Sequence, residues 1–423
     1  MMSGAKKRVP KRRFKEFLSA GDWKQRKLSD ISTKVTTKNV DVHYTETLTN
    51  SAEQGIISQV DFFDKEISNK NNINGYYIVE NNDFIYNPRI STLAPVGPIN
   101  RNKLNRTGIM SPLYTVFRAS NIDLDFLEWY FQSNHWYRYM KLNGDSGARA
   151  DRIAIKDSTF FDMPIKTPVN IKEQVLIGET LEKFNQYITL HQRKLDKLQA
   201  TKKALLQEMF PEEGQDKPKR RFKGFTDAWE QRKLGDFYTF KNGLNKEKVY
   251  FGYGDSIVNF TDVFHNRQIY SSTLKGKVFV NKKELENFKV KEGDLFFTRT
   301  SETIDEIGFP AVVMEPMERV VFSGFVLRGR AEKNDPLVNI FKSYIFFTDN
   351  FRSEMKKKSS MTTRALTSGT ALKEMYFSYP KDLEEQTKIG EILLRLDNVI
   401  TLHQRKLDKL KNLKQAYLNE MFV

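Results

Sequence analysis

Two stretches of the chain carry apolar residues at alternating steps of four and three, which is the spacing of a single helix face. One stretch follows Pro168 and the other follows Pro380. The positions that form the two seams are Ile177, Leu181, Ile188, Leu195 and Leu198 in the first stretch, and Ile389, Leu393, Ile400, Leu407 and Leu410 in the second. Seams sustained over several turns predict two long helices, over 169–210 and 381–423, that form a coiled coil either with each other or with helices of other subunits.

Both predicted helices have a defined start and the same interruptions. Asn170 with Glu173, and Asp382 with Glu385, have the spacing of a capping box. Polar residues then break both seams at equivalent places, namely His191 and Lys202 in the first seam and His403 and Lys414 in the second. Such residues can set the register and the partner, or they can lie where a splayed seam meets solvent. The pattern leaves both interpretations open.

The chain repeats itself. The segment TLHQRKLDKL occurs at 189–198 and again at 401–410, an offset of 212 residues (401 − 189). A basic segment, PKRRFK, precedes each half at 10–15 and at 218–223, and each copy is followed by a Trp and then by QRKL. The chain therefore consists of one unit, a globular segment followed by a helix, used twice.

The two globular segments, 22–168 and 228–380, resemble each other only faintly. Several positions still align, namely Asp83–Tyr86 with Asp294–Phe297, Gly97 with Gly308, and Ser111 with Ser323. A helix is expected in each segment, near 126–141 and near 337–357. The frame is thus shared while the loops differ, which suggests one fold that recognises two different targets.

These features predict an α+β fold in which two globular domains alternate with the two long helices. The helices are expected to pair as an antiparallel coiled coil, which gives the molecule approximate two-fold symmetry. The remaining segments are a basic N-terminal arm (1–21) and a linker with a second basic arm (211–227). Each arm either contacts a polyanion or is a solvated charged surface.

Composition narrows the choice of partner. The formal net charge of +16 favours a polyanion, either nucleic acid or an anionic membrane surface. The absence of Cys excludes disulfides and thiolate metal sites, and with five scattered His we expect no metal. No stretch is apolar enough to span a bilayer, and the N-terminus lacks the apolar core of a secretory signal. We therefore expect a cytoplasmic protein.

Sequence motifs of catalysis are incomplete. Gly276–Lys277 lacks the upstream Gly and the downstream Ser or Thr of a phosphate-binding loop. The run Tyr86–Arg89 lacks the second Pro and the stacking aromatic of the Asn-Pro-Pro-aromatic motif of adenine methyltransferases. Two alternatives to a non-catalytic DNA-binding protein remain, a stand-alone DNA-modifying enzyme and a coiled-coil scaffold that does not bind DNA.

Two divergent domains, each followed by a helix that opens with P…EQ…IG and carries TLHQRKLDKL, resemble the specificity subunit of type I restriction–modification systems. The resemblance covers essentially the whole chain. It implies that each globular segment is a target recognition domain that reads one half of a split, asymmetric site in double-stranded DNA. It also implies that the paired helices set the distance between the halves and dock the modification subunits.

The same resemblance implies where the chemistry takes place. Two modification (methyltransferase) subunits, and two restriction (translocase–nuclease) subunits when DNA is cut, are the expected partners. Adenine methylation and its S-adenosylmethionine, together with Mg and ATP, then belong to the partner subunits, and the chain itself is not an enzyme and carries no cofactor.

The residues expected to contact DNA follow the two aligned strand ends. They are Asn87, Arg89 and Ser91 in the first domain and Thr298, Arg299, Thr300 and Ser301 in the second. Arg can bridge O6 and N7 of guanine, while Asn, Ser and Thr can meet base edges or phosphates. An ordinary polar turn is the alternative interpretation of each loop.

Five further basic residues complete the predicted DNA contacts. Arg101, Lys103 and Arg106, in a following loop, are expected to bind phosphates rather than bases. Arg149 and Arg364 are a matched pair that either contacts DNA or buttresses the junction between domain and helix.

Overall fold

A computed structural model describes residues 9–63, 70–145, 151–361 and 363–423, and it divides into two compact units. The first unit joins Met1–Gln192 to Arg405–Val423, and the second comprises Arg193–Gln404. Each unit therefore contains one globular domain and segments of both long helices.

The first unit is built mainly from short antiparallel strands. Its strands are β1 (Lys24–Lys27), β2 (Ser32–Lys34), β3 (Leu48–Ser51), β4 (Gly55–Ser58), β5 (Tyr77–Val79), β6 (Phe84–Tyr86), β7 (Ile99–Arg101), β8 (Gly108–Met110), β9 (Thr115–Ala119) and β10 (Pro164–Thr167). Its helices are α1 (Gln59–Phe63), α2 (Leu124–Gln132), α3 (Tyr137–Asn143), α4 (Asp157–Phe161) and the long α5 (Ile171–Glu208), which continues into the second unit. The largest sheet has the order β2-β9-β6-β7, and the others are the pairs β1-β10, β3-β4 and β5-β8.

The second unit has more strands on a similar plan. Its strands are β11 (Glu230–Lys233), β12 (Tyr238–Asn242), β13 (Phe251–Val258), β14 (Gln268–Ile269), β15 (Lys277–Val278), β16 (Leu295–Thr298), β17 (Thr300–Ser301), β18 (Pro310–Val313), β19 (Val320–Phe322), β20 (Val326–Ala331), β21 (Ser360–Met361), β22 (Ala365–Leu366) and β23 (Tyr376–Tyr379). Its helices are α6 (Phe260–Val263), α7 (Lys282–Phe288), α8 (Asn339–Ile345), α9 (Asp349–Lys358), α10 (Gly369–Lys373) and the long α11 (Leu383–Glu420), which ends in the first unit.

The two domains share one sheet frame. The order β12-β20-β16-β18 in the second domain repeats β2-β9-β6-β7 in the first, and β14 adds a fifth strand. The aligned Asp83 and Asp294 are buried just before β6 and β16. Each carboxylate accepts two hydrogen bonds from an arginine, Arg118 on β9 at 2.7 and 3.0 Å, and Arg330 on β20 at 2.6 Å for both. The faint alignment therefore marks a buried aspartate whose ion pair with an arginine joins the same two strands in both domains.

The helical region that follows each sheet is broken in two. One continuous helix was expected near 126–141 and near 337–357, and this expectation is wrong, because α2 is followed by α3 and α8 by α9. At both breaks, Ser133 and Thr348, the side-chain hydroxyl donates to the carbonyl three residues earlier, at 2.6 and 2.9 Å. Hydroxyls that satisfy helix-end carbonyls in this way favour termination over continuation.

Aromatic side chains close the core of each unit, and a long-helix end supplies one of them. In the first unit Phe422, just beyond α11, packs against Phe126 with ring centroids 5.3 Å apart. In the second unit Phe210, just beyond α5, stacks on Phe341 at 5.6 Å and meets Trp229 at 5.9 Å. The repeated Met-Phe that ends each helix is therefore buried in the core of its unit.

The long helices pair antiparallel, which confirms the predicted fold class. In the first unit Phe184 of α5 packs against Tyr417 of α11 at 5.0 Å, and the core that contains Ile177 also contains Met421. As α5 advances, its partner on α11 thus moves backwards. Among the seam residues, Ile177, Leu181, Leu195, Ile389, Leu393 and Leu407 are buried, and Ile188, Leu198, Ile400 and Leu410 are half-buried.

Two lysines of the seams are half-buried and paired, which favours the register interpretation. Lys202 forms an ion pair with Asp397, whose carboxylate also accepts a 2.8 Å hydrogen bond from the hydroxyl of Tyr344. The equivalent Lys414 donates to Asn185 at 3.1 Å. Burial lowers the pKa of both lysines. Because a buried ammonium is costly without a partner, each pair opposes slippage of one helix along the other.

The basic arms turn inward and clamp the starts of the long helices. Arg13 donates to both carboxylate oxygens of Glu173 at 2.7 and 2.8 Å, and Arg221 does the same to Glu385 at 2.5 and 2.8 Å. Both glutamates are buried. The second arginine of each PKRRFK copy therefore belongs to the fold, and each glutamate of the expected capping box holds an arm.

The rest of the repeated P…EQ…IG pattern attaches each domain to its helix. Gln174 accepts a 3.0 Å hydrogen bond from the backbone N–H of Asp123, beside the start of α2. A Cβ on Gly178 would lie 2.8 Å from the Cβ of Asp125. Gln386 repeats the first contact, with the N–H of Val338 at 2.8 Å. This part of the repeat is explained by contacts within the chain.

The clamp generates a stability prediction. Arg13→Ala leaves the carboxylate of Glu173 buried without its cation, which should cost about 3–5 kcal/mol in the first unit. The neighbouring Arg12→Ala removes a solvent-exposed pair with Glu420 and should be far less destabilising. The measurement is amide hydrogen exchange in the first turns of α5. Equal exchange in the two variants would show that the clamp is not a stabilising element.

Candidate nucleic-acid interface

The loops selected from the sequence line one concave cavity in each domain. The first cavity, about 330 Å³, is lined by Asn87, Arg89 and Ser91 after β6, together with Asn50, Leu113 and Arg152. The second, about 370 Å³, is lined by Thr300, Ser301 and Arg364, together with Phe260, Phe264 and Phe325. The structure thus brings five of the seven residues predicted after the two aligned strands, together with Arg364, to equivalent places in the shared frame.

In the first cavity the polar side chains divide into one that shapes the loop and others that are exposed. The side chain of Asn87 accepts from the N–H of Arg89 at 3.0 Å and donates to the carbonyl of Asn50 at 2.9 Å, so it holds the turn. Ser91 is exposed, and its hydroxyl accepts from the N–H of Ala94 at 3.1 Å. The guanidinium of Arg89 is exposed, with Asp151 at 3.9 Å. Arg89 is therefore the side chain of this loop best able to contact a ligand.

In the second domain two of the predicted hydroxyls are buried, and of these only that of Ser301 belongs to a residue that lines the cavity. The hydroxyl of Thr298 accepts from the N–H of Phe309 at 2.8 Å, and that of Ser301 lies 3.4 Å from a carboxylate oxygen of Glu306. A direct contact of either hydroxyl with DNA requires the loop to open. Thr300 and Arg299 are half-buried and so remain partly accessible. The interpretation as an ordinary polar turn therefore fits Thr298 and Ser301 better than it fits Thr300 and Arg299.

The three basic residues predicted to bind phosphates differ in their surroundings. Arg101 is buried and forms ion pairs with two carboxylates of α2, those of Asp125 and Glu128, so it joins β7 to that helix. Lys103 is exposed, 3.4 Å from Glu128. Arg106 is exposed and donates to both carboxylate oxygens of Glu46, and these hydrogen bonds raise the pKa of Arg106. Only Lys103 and Arg106 can exchange a carboxylate for a phosphate at the surface.

Of the matched arginine pair, Arg149 lies outside the described residues. Arg364 is exposed beside β22 and borders the second cavity. Its guanidinium forms no ion pair with a carboxylate of the described part of the chain, although Glu302 lines the same cavity. Arg364 is therefore placed at a concave surface with its charge available to an anion.

Sequence reasoning missed the apolar members of both cavities. Leu113 and Phe325 each lie two residues after an aligned serine, Ser111 or Ser323, so their equivalence was detectable from that alignment. The alignment could not reveal Phe264, nor the charged Arg152 of the first cavity, because the loops that carry these two residues do not align. The second cavity is consequently more aromatic than the sequence suggested.

Two further searches concern the described residues alone. No group of three or more His, Asp or Glu side chains in 9–63, 70–145, 151–361 and 363–423 could hold a metal ion. Within the same ranges, no helix is long and apolar enough to cross a membrane.

One sheet frame presents two chemically different cavities, and both domains join long helices that pair with each other. This arrangement defines the class of a two-domain recognition protein. A family model described as type I restriction modification DNA specificity domain matches residues 226–412, the second domain and most of α11. The matched segment is a DNA specificity domain of that family, and the first domain repeats its frame. The chain therefore contains one segment that matches the DNA specificity domain of type I restriction–modification systems, and a first domain with the same sheet frame.

Solved structures show the same fold. The crystal structure of the type I restriction–modification system S subunit from M. genitalium is 12% identical, with a TM-score of 0.58, over 98% of this chain and 99% of that chain. A chain from a structure of complex assembly and conformational transition in the type I R-M system is 15% identical, with a TM-score of 0.50, over 95% of this chain and 97% of that one. Both similarities extend over both domains and both long helices.

The cavities generate a binding prediction. Arg89→Ala and Arg364→Ala should each weaken DNA binding by about tenfold, because each removes an exposed cation that can reach a base or a phosphate. If the contact is to a phosphate, the salt dependence of log K should also become shallower by about one unit of slope. Fluorescence anisotropy on a labelled duplex between 50 and 200 mM salt, a range of about fourfold, measures both effects.

The matched control is Arg319→Ala. This arginine is equally exposed but is held by both oxygens of Asp255 at 2.6 and 2.9 Å, outside either cavity lining. If Arg319→Ala weakened binding as much as Arg364→Ala, the effect would be general charge rather than a contact in the cavity.

Proposed function

We propose that each globular domain reads one half of a bipartite, asymmetric site in double-stranded DNA, and that the chain directs adenine methylation and restriction by partner subunits. The observation that carries this proposal is the pair of equivalent cavities with different linings. The first offers amides and arginines, including Asn50 and Arg152, whereas the second offers aromatic rings and Arg364. Two different surfaces on one frame suit two different half-site sequences.

Recognition combines binding to the phosphate backbone, which is independent of base sequence, with contacts to the bases, which depend on that sequence. The net charge of +16 supports binding to the phosphate backbone, which positions the protein on the duplex. Exposed arginines at the cavities, such as Arg89 and Arg364, can bridge the acceptors of guanine in the major groove. Half-site sequence therefore depends on the loops, while affinity depends on the whole basic surface.

The repeated TLHQRKLDKL segments support partner docking. Only some residues of these two segments are needed to bury the helix seam. The residues at outward-facing positions are nevertheless identical in the two copies as well. Leu190 and Leu402, at equivalent positions, are 60% and 51% exposed, and exposed arginines and lysines follow both. Identical exposed surfaces suit two copies of one partner, which we propose to be the modification subunit. Two restriction subunits join when DNA is cut.

Catalysis belongs to these partners in the proposed assembly. The modification subunits flip the target adenine and use S-adenosylmethionine, and the restriction subunits use ATP and Mg²⁺. The chain contributes sequence recognition and the spacing of the two half-sites. Its DNA substrate and these partners place the assembly in the cytoplasm.

Methyl transfer tests this assignment. The purified chain with S-adenosylmethionine and its DNA should transfer no methyl groups, and addition of the modification subunit should restore transfer. The measurement is incorporation of labelled methyl groups into the duplex. Transfer by the chain alone would establish the stand-alone enzyme instead.

The docking surfaces provide the internal control. Leu190→Asp and Leu402→Asp each place a charge in one proposed docking surface, so each should reduce the modification subunits bound from two to one, as measured by native mass spectrometry. Lys183→Asp, at an exposed position on α5 outside the repeated segment, should leave two bound. Two bound subunits in all three variants would place the docking surface elsewhere.

A further inference from the structure

Two large apolar side chains are exposed at equivalent turns of the two domains. Leu113 is 62% exposed and precedes β9, and Phe325 is 64% exposed and immediately precedes β20. Each lies two residues after an aligned serine, and each lines the cavity of its domain. Single exposed apolar residues are common on protein surfaces, but here the same feature recurs where the surrounding loops differ.

The turns hold these side chains in place. The hydroxyl of Ser111 accepts from the N–H of Leu113, and that of Ser323 accepts from the N–H of Phe325, both at 3.4 Å. The carbonyl of Phe325 also accepts from the N–H of Arg299 at 3.1 Å. The backbone that presents each side chain is therefore hydrogen-bonded.

The turn in the second domain is also closely packed. A Cβ on Gly324 would lie 2.0 Å from the side-chain oxygen of Asn245, so a larger residue here would require that exposed amide to move. Phe325, the next residue, nevertheless faces solvent. An apolar residue exposed in this way can bury its surface against a ligand.

The surroundings indicate which DNA group the side chains meet. Hydrogen-bonding groups line the same cavities, among them Asn87 and Arg89 in the first and Thr300 and Arg364 in the second. Such groups suit the base edges in the major groove, where the one apolar group is the C5-methyl of thymine. A wedge that separates stacked bases would need no hydrogen-bonding neighbours of this kind.

We propose that Leu113 and Phe325 are specificity-determining residues that pack against thymine methyl groups, each in the half-site read by its own domain. This inference rests on the proposed function. A half-site in which adenine is methylated contains the thymine that pairs with that adenine, so both half-sites offer the group.

The experiment removes the methyl groups from the DNA. The full chain assembled with its modification subunits is titrated with the duplex that the assembly methylates, and deoxyuridine replaces thymine in the first half-site, in the second, or in neither. The assembly with the unaltered chain should lose affinity about fourfold for either substitution. In the Phe325→Ala variant, deoxyuridine should no longer reduce affinity in one of the two half-sites. In the Leu113→Ala variant, it should no longer reduce affinity in the other half-site.

The crossed pattern separates contact from misfolding, because a misfolded variant loses affinity for every duplex alike. Leu18→Ala and Tyr253→Ala, at exposed positions outside both cavity linings, should retain both losses. The inference would be overturned if deoxyuridine did not change the affinity of the assembly with the unaltered chain. It would also be overturned if Phe325→Ala and Leu113→Ala kept both losses of affinity. A side chain that acts as a wedge would give another result. The fluorescence of 2-aminopurine would report unstacking that depends on Phe325, while deoxyuridine would leave the affinity unchanged. That result would also overturn the inference.

Failure of the proposed function gives a different result. If the assembly showed no preference for its methylated duplex over a scrambled one, the DNA-recognition role itself would fail. Preference without deoxyuridine sensitivity leaves that role intact and removes only the thymine contact.

Discussion

The buried pair between an arm arginine and the first turn of a long helix is the contact on which each unit depends. Arg13 with Glu173, and Arg221 with Glu385, take two opposite charges out of water, which is tolerable only when the geometry is bidentate and both partners are present. The adjacent Gln174 and Gln386 then bind the backbone where the domain meets its helix. Arm, helix and domain are thereby joined at one place in each unit.

This junction separates a constant part of the protein from a variable part. Once a domain is held at its helix and the sheet frame is held by pairs such as Asp83 with Arg118, the loops beyond the strands can change without altering the frame. The two cavities show the outcome, one rich in amides and the other in aromatic rings. A protein that reads two unrelated sequences needs both properties, because the recognition surfaces must differ while their supports remain alike.

Sequence periodicity was sufficient to predict the long helices and their apolar seams, because a buried seam imposes its spacing on the residues themselves. It did not decide between pairing within the chain and pairing with another subunit. Contacts between distant residues left no such mark. The pairing of Arg13 with Glu173 joins residues 160 positions apart, and Phe422 closes a core whose other members lie far away along the chain. Both features lie in repeated segments, so the repeat was the available signal, and intramolecular contacts explain why these segments repeat.

The candidate site was predicted in position more reliably than in detail. The aligned strand ends located both cavities, because a shared frame places equivalent loops at equivalent edges. The roles of single residues depended on neighbours that the sequence does not order. Arg101 is occupied by the carboxylates of α2, and Thr298 is buried against a backbone N–H, whereas Arg364 is exposed. The apolar Phe325 was overlooked because exposure is a property of the folded turn.

The central claim is that one unit is used twice, with paired helices that set the spacing between two independent readers. Insertion of seven residues after Gln199 and of seven more after Val399 would lengthen both helices at the same point along their pairing. The Lys202–Asp397 pair places these two positions opposite each other. Sequencing of methylated sites in cells that carry the full system is the direct measurement. The account predicts two unchanged half-sites and an unread spacer longer by roughly one to three base pairs, since a heptad adds about 10 Å of helix. A changed half-site sequence, or an unchanged spacer, would contradict it.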